Sequence, residues 1–272
     1  MKEHQVKPGS KVNLEKIDPD GTGEYASNEE GKAKAEEATR AELEKMRKLQ
    51  ERLFGNANRA LLVVLQGMDT SGKDGTIKHV MSGVNPQSCR VTAFKAPNQL
   101  ELAHDFLWRV HHEVPPKGYI GIFNRSHYED VLITRVHGWV SDKLAEERFR
   151  QINHFEELLH DAGTTILKFF LHISKAEQRE RLEARVRDPE KRWKFNPRDL
   201  EERKLWPKYR EAYEDGISAT STQQALWHVV PANRKWYRNL VVARIIVDAL
   251  EEMKLKSPPA PEGVDFAKLK IV

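Results

Sequence analysis

The chain predicts an α/β fold: a mainly parallel sheet with helices on both faces. Three observations carry that expectation. Short, continuous apolar runs recur along the chain. Amphipathic helical periods separate them. A glycine-rich loop stands between the first run and a helical pattern.

The elements follow in order. Residues 1–26 are polar and rich in Gly, Pro and Asp, and read as a loose arm. Ser27 and Glu30 have capping-box spacing and open a charged helix to about Phe54, whose Ala/Glu/Lys/Arg content suits a solvated face with i,i+4 pairs. Ala60–Leu65 is short, apolar and partly β-branched, the pattern of a buried parallel strand. Cys89–Phe94, Tyr119–Phe123, Thr165–His172 and Trp227–Val230 are further strand candidates. Between them Leu100, Ala103, Leu107 and Val110 recur at helical spacing behind an Asn98 cap, and Phe149, Ile152, Phe155 and Leu159 repeat the period.

One stretch interrupts the alternation. From Ser174 to about Asp215 no strand pattern appears. Ser174 and Glu177 cap one helix, and Asn196-Pro197-Arg198-Asp199 opens another. Arg185, Arg187, Lys191, Arg192 and Lys194 lie between with few acids. This basic helix–loop–helix reads as a lid. Arg179 and Arg181, flanked by Glu177, Glu180 and Glu183, suit a solvated helix face equally well. The expected organisation is an arm over 1–26, one domain over 27–255 with a lid insertion at about 174–215, and a tail over 256–272 stiffened by Pro258-Pro259-Ala260-Pro261.

With 39% hydrophobic and 32% charged residues among 272, the chain can bury a core. Lys and Arg number 45 against 41 Asp and Glu, so the formal charge is +4: an anionic ligand is permitted and a nucleic acid is not called for. The one cysteine, Cys89, excludes an internal disulfide and suits a reducing compartment. Met1–Ser10 has no apolar signal core, and the longest apolar run is too short to span a bilayer. The expectation is a cytoplasmic chain with no membrane and no nucleic-acid partner.

The chemistry concentrates in Gly67-Met68-Asp69-Thr70-Ser71-Gly72-Lys73-Asp74-Gly75. Gly67 to Lys73 fits the first seven positions of a phosphate-binding loop, and the strand–loop–helix context is met. Gly67, Gly72 and Gly75 let backbone N–H groups around Ser71 turn toward an anion, the following helix adds its positive end, and Lys73 supplies a charge for a phosphoryl oxygen. Asp74 stands where a Ser or Thr hydroxyl normally meets Mg2+. Asp69 puts a carboxylate among phosphates, which calls for a bridging metal or an acceptor-orienting role. A second cluster, Phe123-Asn124-Arg125-Ser126-His127-Tyr128-Glu129-Asp130, follows a strand and so lies at the sheet edge where ligands bind. Arg125 suits a phosphoryl clamp; Glu129 and Asp130 suit a metal ion, a nucleobase or a helix first turn. Phe94-Lys95-Ala96-Pro97 places Lys95 toward the same crevice.

Together with Trp193-Lys194-Phe195-Asn196-Pro197 and Val230-Pro231-Ala232-Asn233-Arg234-Lys235-Trp236, these motifs resemble the polyphosphate kinase 2 family over roughly residues 30–255. The resemblance implies a three-layer, thymidylate-kinase-like P-loop fold with a helical lid. It implies Mg2+ dependence, with Mn2+ able to substitute, and phosphoryl transfer between inorganic polyphosphate and nucleotides (AMP, ADP, ATP, with GMP and GDP as further acceptors). Many members carry Asp where this chain has Asn124. The Asn-Arg-Ser-x-Tyr-Glu-Asp form resembles the class III subgroup, which acts on both nucleoside mono- and diphosphates, and leaves Glu129 to compensate at the metal. A homo-oligomer, dimer or tetramer, is expected. On this reading Asp69, Lys73 and Arg125 are catalytic, Asp69 and Glu129 hold the metal, and Asn124, Glu129 and Asp130 meet the nucleotide. Lys78, Lys95, Arg135, Arg185 and Arg192 extend the phosphate path from the loop. The competing readings are an ATP-dependent nucleoside monophosphate kinase, against which Asp69 and Asp74 count, and a non-catalytic polyanion binder.

Overall fold

Every residue of Ala60–Gln66 (β1) is buried, as a strand covered on both faces must be. In the computed structural model, which describes residues 1–258, 261, 262, 266, 268 and 269, β1 is the middle of a five-stranded parallel sheet of order β2-β3-β1-β4-β5. The other strands are Cys89–Ala93 (β2), Ile120–Asn124 (β3), Thr164–His172 (β4) and Trp227–Pro231 (β5), each within a residue or two of its expected position. β1 pairs with β3 in the register Leu65↔Asn124 and with β4 in the register Gln66↔Phe170. The C-terminal ends of β1 and β3 therefore lie side by side, where the chain departs toward opposite edges of the sheet.

Helices Glu29–Asn56 (α1), Lys73–Val80 (α2) and Lys235–Glu252 (α10) form one layer; α10 packs on β4, β5 and α2, and α1 lies along α10. Asp142–Asp161 (α6) covers β4 on the other face and meets Trp206–Thr220 (α9). Four shorter elements complete the set: Gln99–Leu102 (α3), Trp108–His111 (α4), Ile133–Val136 (α5) and Arg198–Lys204 (α8), with Lys175–Arg187 (α7) leading into the last of these. Among the described residues no helix is long and apolar enough to cross a membrane.

Four expectations change. The first helix is capped by Asn28, whose side chain accepts from the Gly31 N–H, not by Ser27. The period over residues 100–110 is broken into α3 and α4, because Asp105 accepts from the Leu107 N–H and starts a new turn, leaving Leu100 and Leu102 exposed. The segment from 174 to 215 holds three helices, not two. The first 26 residues are not loose. Val6 donates to the Trp227 carbonyl on the β5 edge at 2.8 Å, and Leu14, buried, donates to Glu214 of α9 at 2.7 Å. An otherwise open strand edge is thereby covered. Pro259 and Ala260 of the proline-rich tail lie outside the described residues.

Candidate active site

The loop from β1 to α2 takes its shape from two glycines. Gly67 has φ +151°, and a Cβ there would press on the Leu171 carbonyl at 2.8 Å. Gly72, at φ +99°, caps α2 and leaves no room for a side chain beside the Arg238 guanidinium. Thr70 at φ +62° and Arg125 at φ +63° are left-handed without being glycine, a conformation that persists where the surroundings over-determine it. Three consecutive loop residues carry polar atoms, Asp69 Oδ2, Thr70 Oγ1 and Ser71 Oγ, that are buried without a hydrogen-bond partner among the described residues. Such a cluster marks a ligand site more than a packed turn.

Lys73 begins α2. It is 9% exposed, and its ammonium folds back to donate to the Gly67 carbonyl at 2.9 Å. Burial, with the Arg125 charge nearby, lowers its pKa to about 8; Asp69, Glu129 and Asp74 pull the other way. At the adjacent strand end Arg125 donates its backbone N–H to the Leu65 carbonyl at 3.1 Å, and its guanidinium lies 3.6 Å from Glu129. Asn124 donates to Asp74 Oδ1 at 2.7 Å, joining the ends of β3 and the glycine-rich loop.

These groups open onto a cleft of about 790 Å³ lined by Asp69, Lys73, Asp74, Lys95, Asn124, Arg125 and Arg185 of the expected set, with Gly72 and Gly75. Gly67 and Ser71 belong to the loop beneath. From the lid, Arg185 reaches to 3.7 Å of Asp69 Oδ2 and 4.0 Å of Asp199 on α8. Burial and the neighbouring Asp69 raise the pKa of Asp199.

Other expected residues fall elsewhere. Arg135 is held by Asp142 and Asp215, each at 2.7 Å, beside a separate depression and does not line this cleft. Lys78 is exposed on α2, and Arg192 donates its Nε to the Val186 carbonyl; neither lines the cleft. Asp130 turns inward to Arg109 at 3.5 Å, and Arg109 donates onward to the Lys95 carbonyl at 2.8 Å. Burial raises the Asp130 pKa although the Arg109 and Arg148 charges oppose it, and its contacts tie two loops together. Glu129 faces Arg125 and does not line the cleft.

Two arginines outside the expected set shape the loop. Arg181 donates to the Thr70, Ser71, Ala232 and Asn233 carbonyls at 2.6–3.0 Å. Arg238, 2% exposed, reaches the Ser71 carbonyl at 3.4 Å; burial and Arg181 push its pKa down to about 9. Both line the cleft with Lys191, Lys194 and Lys235. The glutamates around Arg181 concealed it in the sequence. Lys235 and Arg238 had one signal, their place just after the Val230–Asn233 segment.

The donor set around Asp69 is sparse. Among the described residues no group of three His, Cys, Asp or Glu side chains is placed to hold a metal ion. Asp69 Oδ2, which makes no hydrogen bond and has only Arg185 at 3.7 Å, fits a hard cation that takes one or two carboxylates and completes its shell with phosphate oxygens and water.

Residues 28–258 match the family model described as polyphosphate kinase 2. An AMP/ADP-polyphosphate phosphotransferase of Meiothermus ruber is 52% identical over 95% of this chain and 96% of its own length. An ADP-polyphosphate phosphotransferase of Rhodopseudomonas palustris is 43% identical over 94% and 92%. The crystal structure of polyphosphate kinase 2 from Arthrobacter aurescens TC1 superposes with a TM-score of 0.92 at 44% identity, covering 97% of this chain and 93% of that one. With its glycine-rich loop, its all-parallel sheet and matches over nearly its whole length, this chain belongs to the polyphosphate kinase 2 family.

Proposed function

We propose that this protein transfers phosphoryl groups between inorganic polyphosphate and nucleoside mono- or diphosphates, with a divalent cation, Mg2+ or Mn2+, at Asp69. One observation carries the reading. The chain as a whole has a net charge of only +4, yet nine lysines and arginines line the cleft against two aspartates. A polyanion is the ligand such a concentration of charge suits, because neighbouring cations that repel one another gain most when a multivalent anion lies among them.

The chemistry follows from the parts. Phosphoryl transfer needs alignment and neutralisation of charge more than covalent participation. Lys73 and Arg125 flank the β1 and β3 ends from two sides and neutralise the oxygens of the transferred group. A cation held at Asp69 would supply positive charge against the phosphoryl oxygens. Asp69 holds it or orients the acceptor, and Asn124 keeps Asp74 fixed at the loop. Arg185, Lys191 and Lys194 close from the lid and exclude water, so that the group passes to the nucleotide. The lid is taken as about 174–215 within a domain of 27–255, in a cytoplasmic homo-oligomer.

³¹P NMR with AMP or ADP decides the substrate class. ATP formed with polyphosphate as donor supports the proposal. Turnover with ATP alone selects an ordinary monophosphate kinase, and tight polyphosphate binding without turnover a non-catalytic binder.

A further inference from the structure

Lys168 interrupts the apolar run 166–171 of β4, and the buried stripe of α6 is apolar except at Glu156. Both side chains are fully buried, 0% and 1% exposed. Lys168 Nζ donates to Glu156 Oε2 at 2.5 Å, to the Thr220 carbonyl at 2.6 Å and to the Tyr128 hydroxyl at 3.0 Å. That hydroxyl gives its own proton to Glu156 Oε1 at 2.9 Å, and His127 Nε2 lies 3.3 Å from the same oxygen. Glu156 Oε1, a carboxylate oxygen, only accepts, so His127 meets it as an Nε2–H donor. A buried ion pair is a poor source of net stability, and apolar residues of like volume often replace one at no loss. Two of its partners, His127 and Tyr128, belong to the turn that follows Arg125. Beside them the Ser126 Oγ accepts from Gln66 at the end of β1 at 3.2 Å.

Arg125 is thus a left-handed residue fastened on both sides: before it by the register of β3 and its N–H on Leu65, after it by a turn anchored to a buried charge pair. We propose that Glu156 and Lys168, through the hydroxyl of Tyr128, are positioning residues that aim the Arg125 guanidinium into the cleft. The inference rests on Arg125 acting on the transferred phosphoryl group, and the test separates the two ideas. None of the three positioning side chains lines the cleft.

Tyr128→Phe removes the hydroxyl tie to the turn and leaves the His127 contact, the ion pair and the Thr220 bond. It should lower kcat about tenfold, since a small misplacement of a catalytic group costs rate steeply. KM for polyphosphate and nucleotide should stay within about threefold and the protein should remain folded. The Glu156→Met/Lys168→Met double variant, which strands no buried charge, should reproduce that loss. The deciding measurement is a double-mutant cycle with Arg125→Ala, followed by luminescent ATP detection. Once Arg125 is gone, Tyr128→Phe should cost nothing further. Full kcat in a folded Tyr128→Phe or double-Met variant overturns the proposal, as do losses that multiply in the cycle. Wild-type kcat in Arg125→Ala alone instead overturns the reading of Arg125.

Discussion

Lys73→Met separates catalysis from stability at one residue. The ammonium is 9% exposed and its pKa falls from 10.5 to about 8. At about 1.4 kcal/mol per unit, holding it charged costs the folded state about 3 kcal/mol. The sign is set by the depressed value. The cost is full below pH 8, where both states are protonated, and fades as pH rises from about 8 to 10.5, where the unfolded chain binds the extra proton. Methionine removes that cost and forfeits the bonds to the Gly67 and Met68 carbonyls, about 1–3 kcal/mol for each bond to a charged donor. The two sums, about 3 against about 2–6 kcal/mol, partly cancel, so the variant should unfold within about 3 kcal/mol of the wild type at pH 7 and should lack the wild type's gain in stability above pH 8. Its kcat should fall by about 10²–10³, the effect of deleting a preorganised group that stabilises transition-state charge. Urea unfolding at pH 7 and pH 9.5, with ATP formation from ADP and polyphosphate on the same samples, measures both. A folded Lys73→Met enzyme with near-normal kcat would refute the site; a variant that does not fold would refute the ledger.

Asp69→Asn should nearly abolish turnover in a folded protein, because Asp69 Oδ2 makes no hydrogen bond whose loss would unfold the loop; unchanged kinetics with varied Mg2+ would retire its role. Arg185→Ala should raise KM for polyphosphate, flatten its salt dependence and increase wasteful phosphate release, whereas Arg192→Ala should stay within about 0.5 kcal/mol of wild type in binding; equal effects from the two would contradict the lid geometry. Arg181→Met strips four backbone carbonyls of a charged donor and should cost about 3 kcal/mol or more in unfolding free energy, read by urea denaturation. The wild-type kcat/KM should bend downward above about pH 8 as free Lys73 loses its proton, and a profile flat to pH 9.5 would count against that pKa.

What the chain alone determined was whatever depends on neighbours in sequence. The glycine-rich loop is contiguous, and its conformation follows from residues a few positions apart. β1 and β3 were legible because burial on both faces demands a nearly unbroken apolar run, whereas β2, with no buried residue, carries Arg90 and Thr92. Asn98 was legible as a cap because capping is a contact across three residues. Folding alone decided which charges share a site. Arg135 stands in a largely apolar stretch and Arg181 among glutamates, and neither neighbourhood foretells where the side chain goes. Asp142 and Asp215 draw the first away, while the carbonyls of the loop and of Ala232 and Asn233 draw the second in. Lys168 interrupts an apolar run and Glu156 the buried stripe of a helix, and the two are intelligible only once β4 and α6 are brought face to face. The first 26 residues looked unstructured because their partners, Trp227 and Glu214, lie some two hundred positions away. Local geometry is written in adjacent residues. A cluster of charge is set by where the backbone carries side chains that are remote in sequence, and no periodicity records that.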